Sequence, residues 1–235
     1  IGGFKVFDSL HGASGSQGTL YRAVCEVPPF PGINPGDVVA LKTMSVVDED
    51  GSQFRRLKKR TDALAAIDHP NVVRYRGCFS LVDAFNSVHV VVMECLEGET
   101  LKDRLRDNPE GLDVDEVMRI ANGIVAALVE TSAAGIVHRD IKPSNVFLCR
   151  DGGVKLIDFE IARQEDGTIS TGVGRFFGTF DYMAPEFSDV SFRGDVTSDV
   201  FSAGVVIHEA LSGRTPYAVS DRNSVRGDFD FISRW

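Results

Sequence analysis

The chain has no excess of positive charge: 25 lysines and arginines face 34 aspartates and glutamates, for a net charge of −9. That balance excludes a broad basic face for wrapping nucleic acid or docking on anionic lipid, so an anionic ligand must be held locally. There is no C-x-x-C pair either. The four cysteines, Cys25, Cys78, Cys95 and Cys149, are widely scattered in a chain large enough to need no covalent staples, which points to a reducing, cytoplasmic setting. No apolar run approaches the roughly 18 residues that a membrane span needs, and the start Ile1-Gly2-Gly3-Phe4 is no signal peptide. The missing initiator methionine reads as a fragment, which leaves room for an anchor elsewhere in a larger protein. What is present is core material. With 43% hydrophobic residues over 235 positions, the chain has enough for one large core or two small ones.

The first forty-odd residues alternate apolar and polar, at Phe4 and Val6, then Leu20 to Val24, then Val38 to Lys42, and predict three antiparallel strands. Between the second and third lies Pro28-Pro29-Phe30-Pro31-Gly32-Ile33-Asn34-Pro35-Gly36, which cannot continue a ladder and reads as a surface excursion. From Ser52 to Asp68 the period becomes helical, with Phe54, Leu57, Leu64 and Ile67 on one stripe, until His69-Pro70-Asn71 stops it. Val72–Cys78 and Val88–Met93 are strand-like, whereas Leu101–Arg106, Val114–Ala134 and Val200–Ser212 have helical spacing. A strand-rich first third followed by a helix-rich remainder predicts two lobes with a hinge near Glu94 to Gly98. There is no internal repeat and no low-complexity tract.

One stretch concentrates chemistry. His138-Arg139-Asp140-Ile141-Lys142-Pro143-Ser144-Asn145 sets an acid, a base and an amide at the spacing of a phosphoryl-transfer loop, and thirteen residues later Lys155-Leu156-Ile157-Asp158-Phe159 offers a second hard-oxygen ligand. The stretch resembles the catalytic loop of eukaryotic-like Ser/Thr protein kinases. The resemblance implies Asp140 as acceptor of the substrate hydroxyl proton and Lys142 as a cation on the moving phosphoryl group, with Asn145 and Asp158 holding Mg²⁺. Lys42 in Val39-Ala40-Leu41-Lys42 matches the strand lysine that pairs with ATP phosphates. Gly12, Gly15 and Gly18 match the glycine loop, although the first glycine falls one place early and the tip is the polar Gln17. Met93 would be the gatekeeper, and the backbone of Glu94 and Leu96 would read the adenine edge. Leu20 and Ala40 would cover that ring, with Phe147 as its floor. Gly178 to Glu186 resembles the substrate-facing end of an activation segment in which Thr179 positions Asp140 and Lys142. Thr168, Ser170 and Thr171 are candidate phosphosites, with Arg139 as the cation to pair with such a phosphate. Asp199 would brace the catalytic-loop backbone.

Two positions depart from the family. The helix position that normally carries a glutamate partner for the strand lysine is Arg60, expected to face inward while Asp62 faces away. Glu160 replaces the glycine that usually follows Asp158-Phe159. Glu160 is therefore expected to supply the displaced carboxylate to Lys42, Arg60 or both.

The resemblance runs from about Phe4 to Tyr217 and implies an α+β, two-lobed protein-kinase fold. Residues 1–95 would form a small antiparallel sheet with one main helix, and residues 96–235 an incomplete, mostly helical second lobe with exposed apolar surface. It implies ATP and Mg²⁺ as cofactors and a protein substrate, with no nucleic acid and no membrane contact within the segment. The hinge Met93-Glu94-Cys95-Leu96-Glu97-Gly98 is similar to that of bacterial members. One rival is a pseudokinase, a nucleotide-binding or scaffolding module, motivated by Arg60 and Glu160. Another is a small-molecule phosphotransferase, which would lack the segment from Thr179 to Glu186. The oligomeric state stays open.

Overall fold

A computed structural model describes residues 1–10, 18–46, 50–82, 87–159, 180–188 and 194–216. The chain divides into two compact units, Ile1–Glu97 and Gly98–Trp235.

The first unit is one antiparallel sheet with one helix. Its strands β1 (Phe4–Ser9), β2 (Thr19–Cys25), β3 (Val38–Val46), β4 (Tyr75–Val82) and β5 (Ser87–Glu94) lie in the order β1-β2-β3-β5-β4, and α1 (Ser52–Ala65) joins β3 to β4. The three strands expected at the start are all present. The next begins at Tyr75 rather than Val72: Val72 makes only an isolated bridge and Val73 lies between it and the strand, although both are buried. Register then sorts the side chains. Leu20 opposes Lys42, Lys42 opposes Val91, and Ala40 opposes Met93, so these residues share one face. His89 lies on that face, its ring 5.3 Å from Phe54 of α1, so this is the face the helix covers. On α1 the fully buried position beside Leu57 and Leu64 is Thr61, with Arg60 half-buried next to it. The buried stripe thus takes in Thr61, which its composition does not mark, beside the Arg60 expected to face inward. Asp62 is exposed and binds Lys58 at 2.8 Å, as the period requires.

The opposite face is also covered. Phe4, Ala23, Val39, Leu41, Val90 and Val92 form a second apolar cluster, and Ile33 of the proline-rich loop is buried in it at 4% exposure. Phe30 packs against it from the same loop, so close to Gly77 that a Cβ there would lie 2.7 Å from the ring. The loop is therefore not the free surface excursion expected. Its prolines deny it ladder hydrogen bonds but do not prevent it from burying its apolar side chains.

The second unit consists of β6 (Gly98–Thr100), α2 (Leu101–Asp107), α3 (Val114–Ala133), β7 (Val146–Cys149), β8 (Val154–Leu156) and α4 (Val196–Ser212), with short 3-10 turns at Pro143–Asn145, Phe180–Tyr182 and Pro185–Ser188. β6, β7 and β8 form an antiparallel sheet in that order. Each long helix starts where a side chain satisfies its free amides: Asp113 accepts from Glu116 N at 3.0 Å, and Asp195 accepts from Ser198 N at 3.1 Å while Ser198 Oγ accepts from Asp195 N. That reciprocal cap explains why α4 begins about one turn before the Val200 expected from apolar spacing. α3 buries Val117, Ile120, Ile124, Ala127 and Leu128 and packs on α4 and β8. Its other face leaves Val114, Met118, Val125 and Val129 more than half exposed. Among the described residues no helix is long and apolar enough to cross a membrane.

Candidate active site

The loop between α3 and β7 is fixed from below by a buried carboxylate. Asp199, 2% exposed near the start of α4, accepts the His138 amide at 2.7 Å and the Arg139 amide at 2.8 Å. Burial pushes its carboxyl group up, and the two amide bonds oppose that by favouring the ionised form. Strained backbone occurs at one of these bonded residues and in the second chemical segment. Arg139 has φ 68° and Asp158 has φ 58°, left-handed conformations that cost a non-glycine residue about 1–2 kcal/mol each.

His138 ties the two chemical segments together. Its ring is fully buried, with Nε2 3.0 Å from the Ile157 carbonyl and Nδ1 3.3 Å from the Asp140 amide. The carbonyl can only accept and the amide can only donate, so the ring is neutral with its proton on Nε2. Burial holds its pKa below the ordinary histidine value, against the pull of Asp199 and the Ile157 carbonyl. The Phe159 ring packs 4.4 Å away.

Above this support three of the expected residues come into direct contact. Lys142 Nζ lies 2.9 Å from Asp140 Oδ1 and 2.7 Å from Oδ2. Asn145 Nδ2 donates to Asp140 Oδ2 at 2.9 Å and to the Asp140 carbonyl at 2.7 Å. Both bonds use the amide nitrogen, so its oxygen is the atom left to face a cation. Asn145 in turn accepts the Ile157 amide on its carbonyl at 3.0 Å, which brings Asp158 to within one residue of a direct hydrogen bond to Asn145. Among the described residues no three His, Cys, Asp or Glu side chains form a ready cation site. One amide oxygen and one carboxylate suit Mg²⁺, which keeps water and takes its remaining ligands from phosphates.

In the first unit, Leu20, Ala40, Lys42 and Met93 share the sheet face described above. Gly18 has φ 101°, and a Cβ there would collide with the Thr43 carbonyl, so only glycine fits. Glu94 spends its amide on the Arg74 carbonyl at 2.9 Å and its carboxylate on the Arg74 amide at 2.7 Å. Leu96 follows in the same unit and Phe147 sits in β7 of the other. Arg60 Nη1 is shielded from solvent. Gly12, Gly15, Glu160, Thr168, Ser170, Thr171 and Thr179 lie outside the described residues.

The family model of the protein kinase domain matches residues 14–232. The chain belongs to the protein kinase family. The kinase domain is 34% identical over 181 residues to a probable serine/threonine-protein kinase PknB of Lactococcus lactis, covering 77% of this chain and 28% of the relative. It is 32% identical over 183 residues to the serine/threonine-protein kinase PrkC of Bacillus subtilis, covering 76% and 27%. It is 31% identical over 209 residues to the cytokinesis protein sepH of Aspergillus niger, covering 86% and 14%. The chain thus spans about a quarter or less of the length of these relatives. Similarity to named Ser/Thr kinases over most of the chain does not favour the pseudokinase reading.

Two features of the kinase domain escape a reading of motifs. The first is the bridging role of His138; the apolar neighbours Ile136, Val137 and Ile141 were the available sign of its burial. The second is Tyr182, whose hydroxyl donates to Glu209 Oε2 at 2.6 Å and ties the 3-10 turn at Phe180–Tyr182 to α4. Burial pushes both groups up, each further raised or restrained by its partner. Nothing in either local sequence marks a pair 27 residues apart.

Proposed function

We propose that the kinase domain transfers the γ-phosphoryl group of ATP to serine and threonine hydroxyls of protein substrates, in the cytoplasm. The observation that supports this best is the Asp140 carboxylate held between the Lys142 ammonium and the Asn145 amide. Asp140 accepts the proton of the attacking hydroxyl, and Lys142 moves from Asp140 toward the charge spread over the transferring oxygens. Asn145 and Asp158 hold Mg²⁺, which neutralises phosphate charge when bound. Lys42 pairs with the ATP phosphates, and the glycine segment with Gly12, Gly15 and Gly18 contributes backbone amides to them. Leu20, Ala40 and Met93 are the first unit's contacts to the adenine, the backbone of Glu94 and Leu96 reads its edge, and Phe147 is the contact assigned to the second unit. Thr179 positions Asp140 and Lys142. Catalysis on this scheme is positioning plus electrostatic stabilisation.

Regulation fits the same frame. Arg139 Nε is buried and has no hydrogen-bond partner among the described residues. A phosphate on Thr168, Ser170 or Thr171 would supply one and order its segment. Glu160 compensates for Arg60 by providing the carboxylate that the strand lysine otherwise receives from the helix.

The test is transfer of radiolabel from ATP to a generic basic protein, comparing the full chain with Asp140→Asn. The wild type should label the substrate and the variant should fall by at least a hundredfold. Equal labelling by the two would overturn the enzymatic reading.

A further inference from the structure

The second unit holds a recess of about 390 Å³ at the turn end of the β7–β8 hairpin, lined in part by Glu99, Arg104, Glu116, Arg119, Cys149 and Arg150. Its floor is a shared carboxylate. Arg104 binds Glu116 as a fork, with Nε and Nη2 each 3.1 Å from a different oxygen, while Arg119 Nη2 approaches the same group at 3.8 Å. The Glu116 side chain is only 14% exposed, so this cluster is partly shielded from water. Two guanidinium groups thus draw on one carboxylate, and the rim adds one arginine, Arg150, and one glutamate, Glu99. The lining residues alone set three arginines against two glutamates, one net positive charge in a chain whose overall charge is −9, with Asp113 also acting on Arg104 from nearby.

We propose that this recess docks an acidic segment of a protein partner, with a carboxylate side chain seated among Arg104, Arg119 and Arg150. The chemistry fits in three ways. A guanidinium has five donors, and the bonds of Arg104 to Glu116 use two of them, so further donors remain for a second carboxylate. Leu148 and the half-buried Cys149 give the wall an apolar surface against which the methylenes of a glutamate can lie. The recess is also at the end of the hairpin away from the phosphoryl-transfer residues. Asn145 directly precedes β7, and from Val146 to Cys149 the strand covers about 10 Å, so an occupant of the recess leaves Asp140, Asn145 and Asp158 uncovered. Arg119 Nη1 also donates to the Gly152 carbonyl at 2.6 Å, which fixes the turn that carries Arg150 and Cys149 beside it.

Binding is measured on the full chain without ATP, so the outcome does not depend on catalysis. Fluorescein-labelled hexaglutamate, followed by anisotropy at low salt, should bind saturably and far better than hexalysine. Arg150→Glu should weaken it at least tenfold, and Arg150→Gln, which removes the charge without reversing it and leaves the Arg119 bond to Gly152 in place, at least threefold. Saturating hexaglutamate should slow iodoacetamide alkylation of Cys149 at least fivefold, read by mass spectrometry, with Cys95 unchanged as the internal control. Absence of binding, equal affinity for hexalysine, indifference to both substitutions, or unprotected Cys149 would each overturn the proposal.

Discussion

Asp199 makes no contact with a reacting group in the proposed mechanism, yet the geometry predicts that replacing it costs both stability and activity. Its carboxylate accepts two buried amides at 2.7 and 2.8 Å. Hydrogen bonds to a charged group contribute about 1.5–3 kcal/mol each. Asparagine can keep one acceptor but turns an NH₂ toward the other amide, so Asp199→Asn should cost about 2–3 kcal/mol. Alanine loses both bonds and should cost about 3–6 kcal/mol, a large share of the ~5–15 kcal/mol that keeps a domain folded. The left-handed Arg139 held by those bonds is then free to relax, and Asp140 moves with it. Misplacement of a reacting group by about 1 Å can cost about a hundredfold in rate, so kcat for labelled-phosphate transfer should fall roughly 10- to 100-fold in Asp199→Asn. Urea unfolding gives the first number: with a slope near 2 kcal/mol per M, the asparagine variant's midpoint should fall by about 1–1.5 M at unchanged slope. A variant that unfolds within about 0.5 kcal/mol of wild type and transfers phosphate at the wild-type rate would refute the bracing role.

Two further outcomes are expected. Glu160→Gly should lose far more transfer activity in the wild-type background than beside Arg60→Glu, because groups that share one charge pair are not additive; independent effects in the four-member cycle would reject the compensation. Burial lowers the pKa of His138 from its ordinary 6.5, so below that value the unfolded chain takes up a proton that the native ring refuses. The stability linked to this ring is therefore complete above pH 6.5 and is lost as pH falls toward the lowered native value, by up to about 1.4 kcal/mol per pH unit. Asp199, Asp140 and Asp158 lie near the ring and moderate the effect without reversing it. Urea midpoints of wild type and His138→Gln, measured from pH 7.5 to 5.5, should diverge in slope; parallel profiles would sink the assignment.

The sequence made the catalytic loop legible because its chemistry is contiguous: Asp140, Lys142 and Asn145 fall within six residues, and their contacts follow from a tight turn. What it left hidden depends on contacts across long separations. The His138 to Ile157 bond bridges 19 residues and the Tyr182 to Glu209 bond 27, and neither has a local pattern to announce it. Periodicity located α1 but left Thr61 off its buried stripe, because Thr61 is as compatible with solvent as with a core until its neighbours are known. β4 begins late for a related reason, since Val72 and Val73 have strand composition and are buried, but Val72 makes only an isolated bridge before the ladder begins. Reading Pro28 to Gly36 as mere excursion gave the prolines more weight than Phe30 and Ile33.

That segment divides into anchors and span. Phe30 and Ile33 grip the sheet, whereas Pro31 and Gly32 between them are exposed, and a side chain added at Gly32 would meet nothing within 4 Å. A short epitope or fluorophore sequence grafted between positions 31 and 32 would project into solvent from a point already pinned on both sides. It would offer an observer's handle on this half of the molecule, close to neither the lysine of β3 nor the helix that covers it.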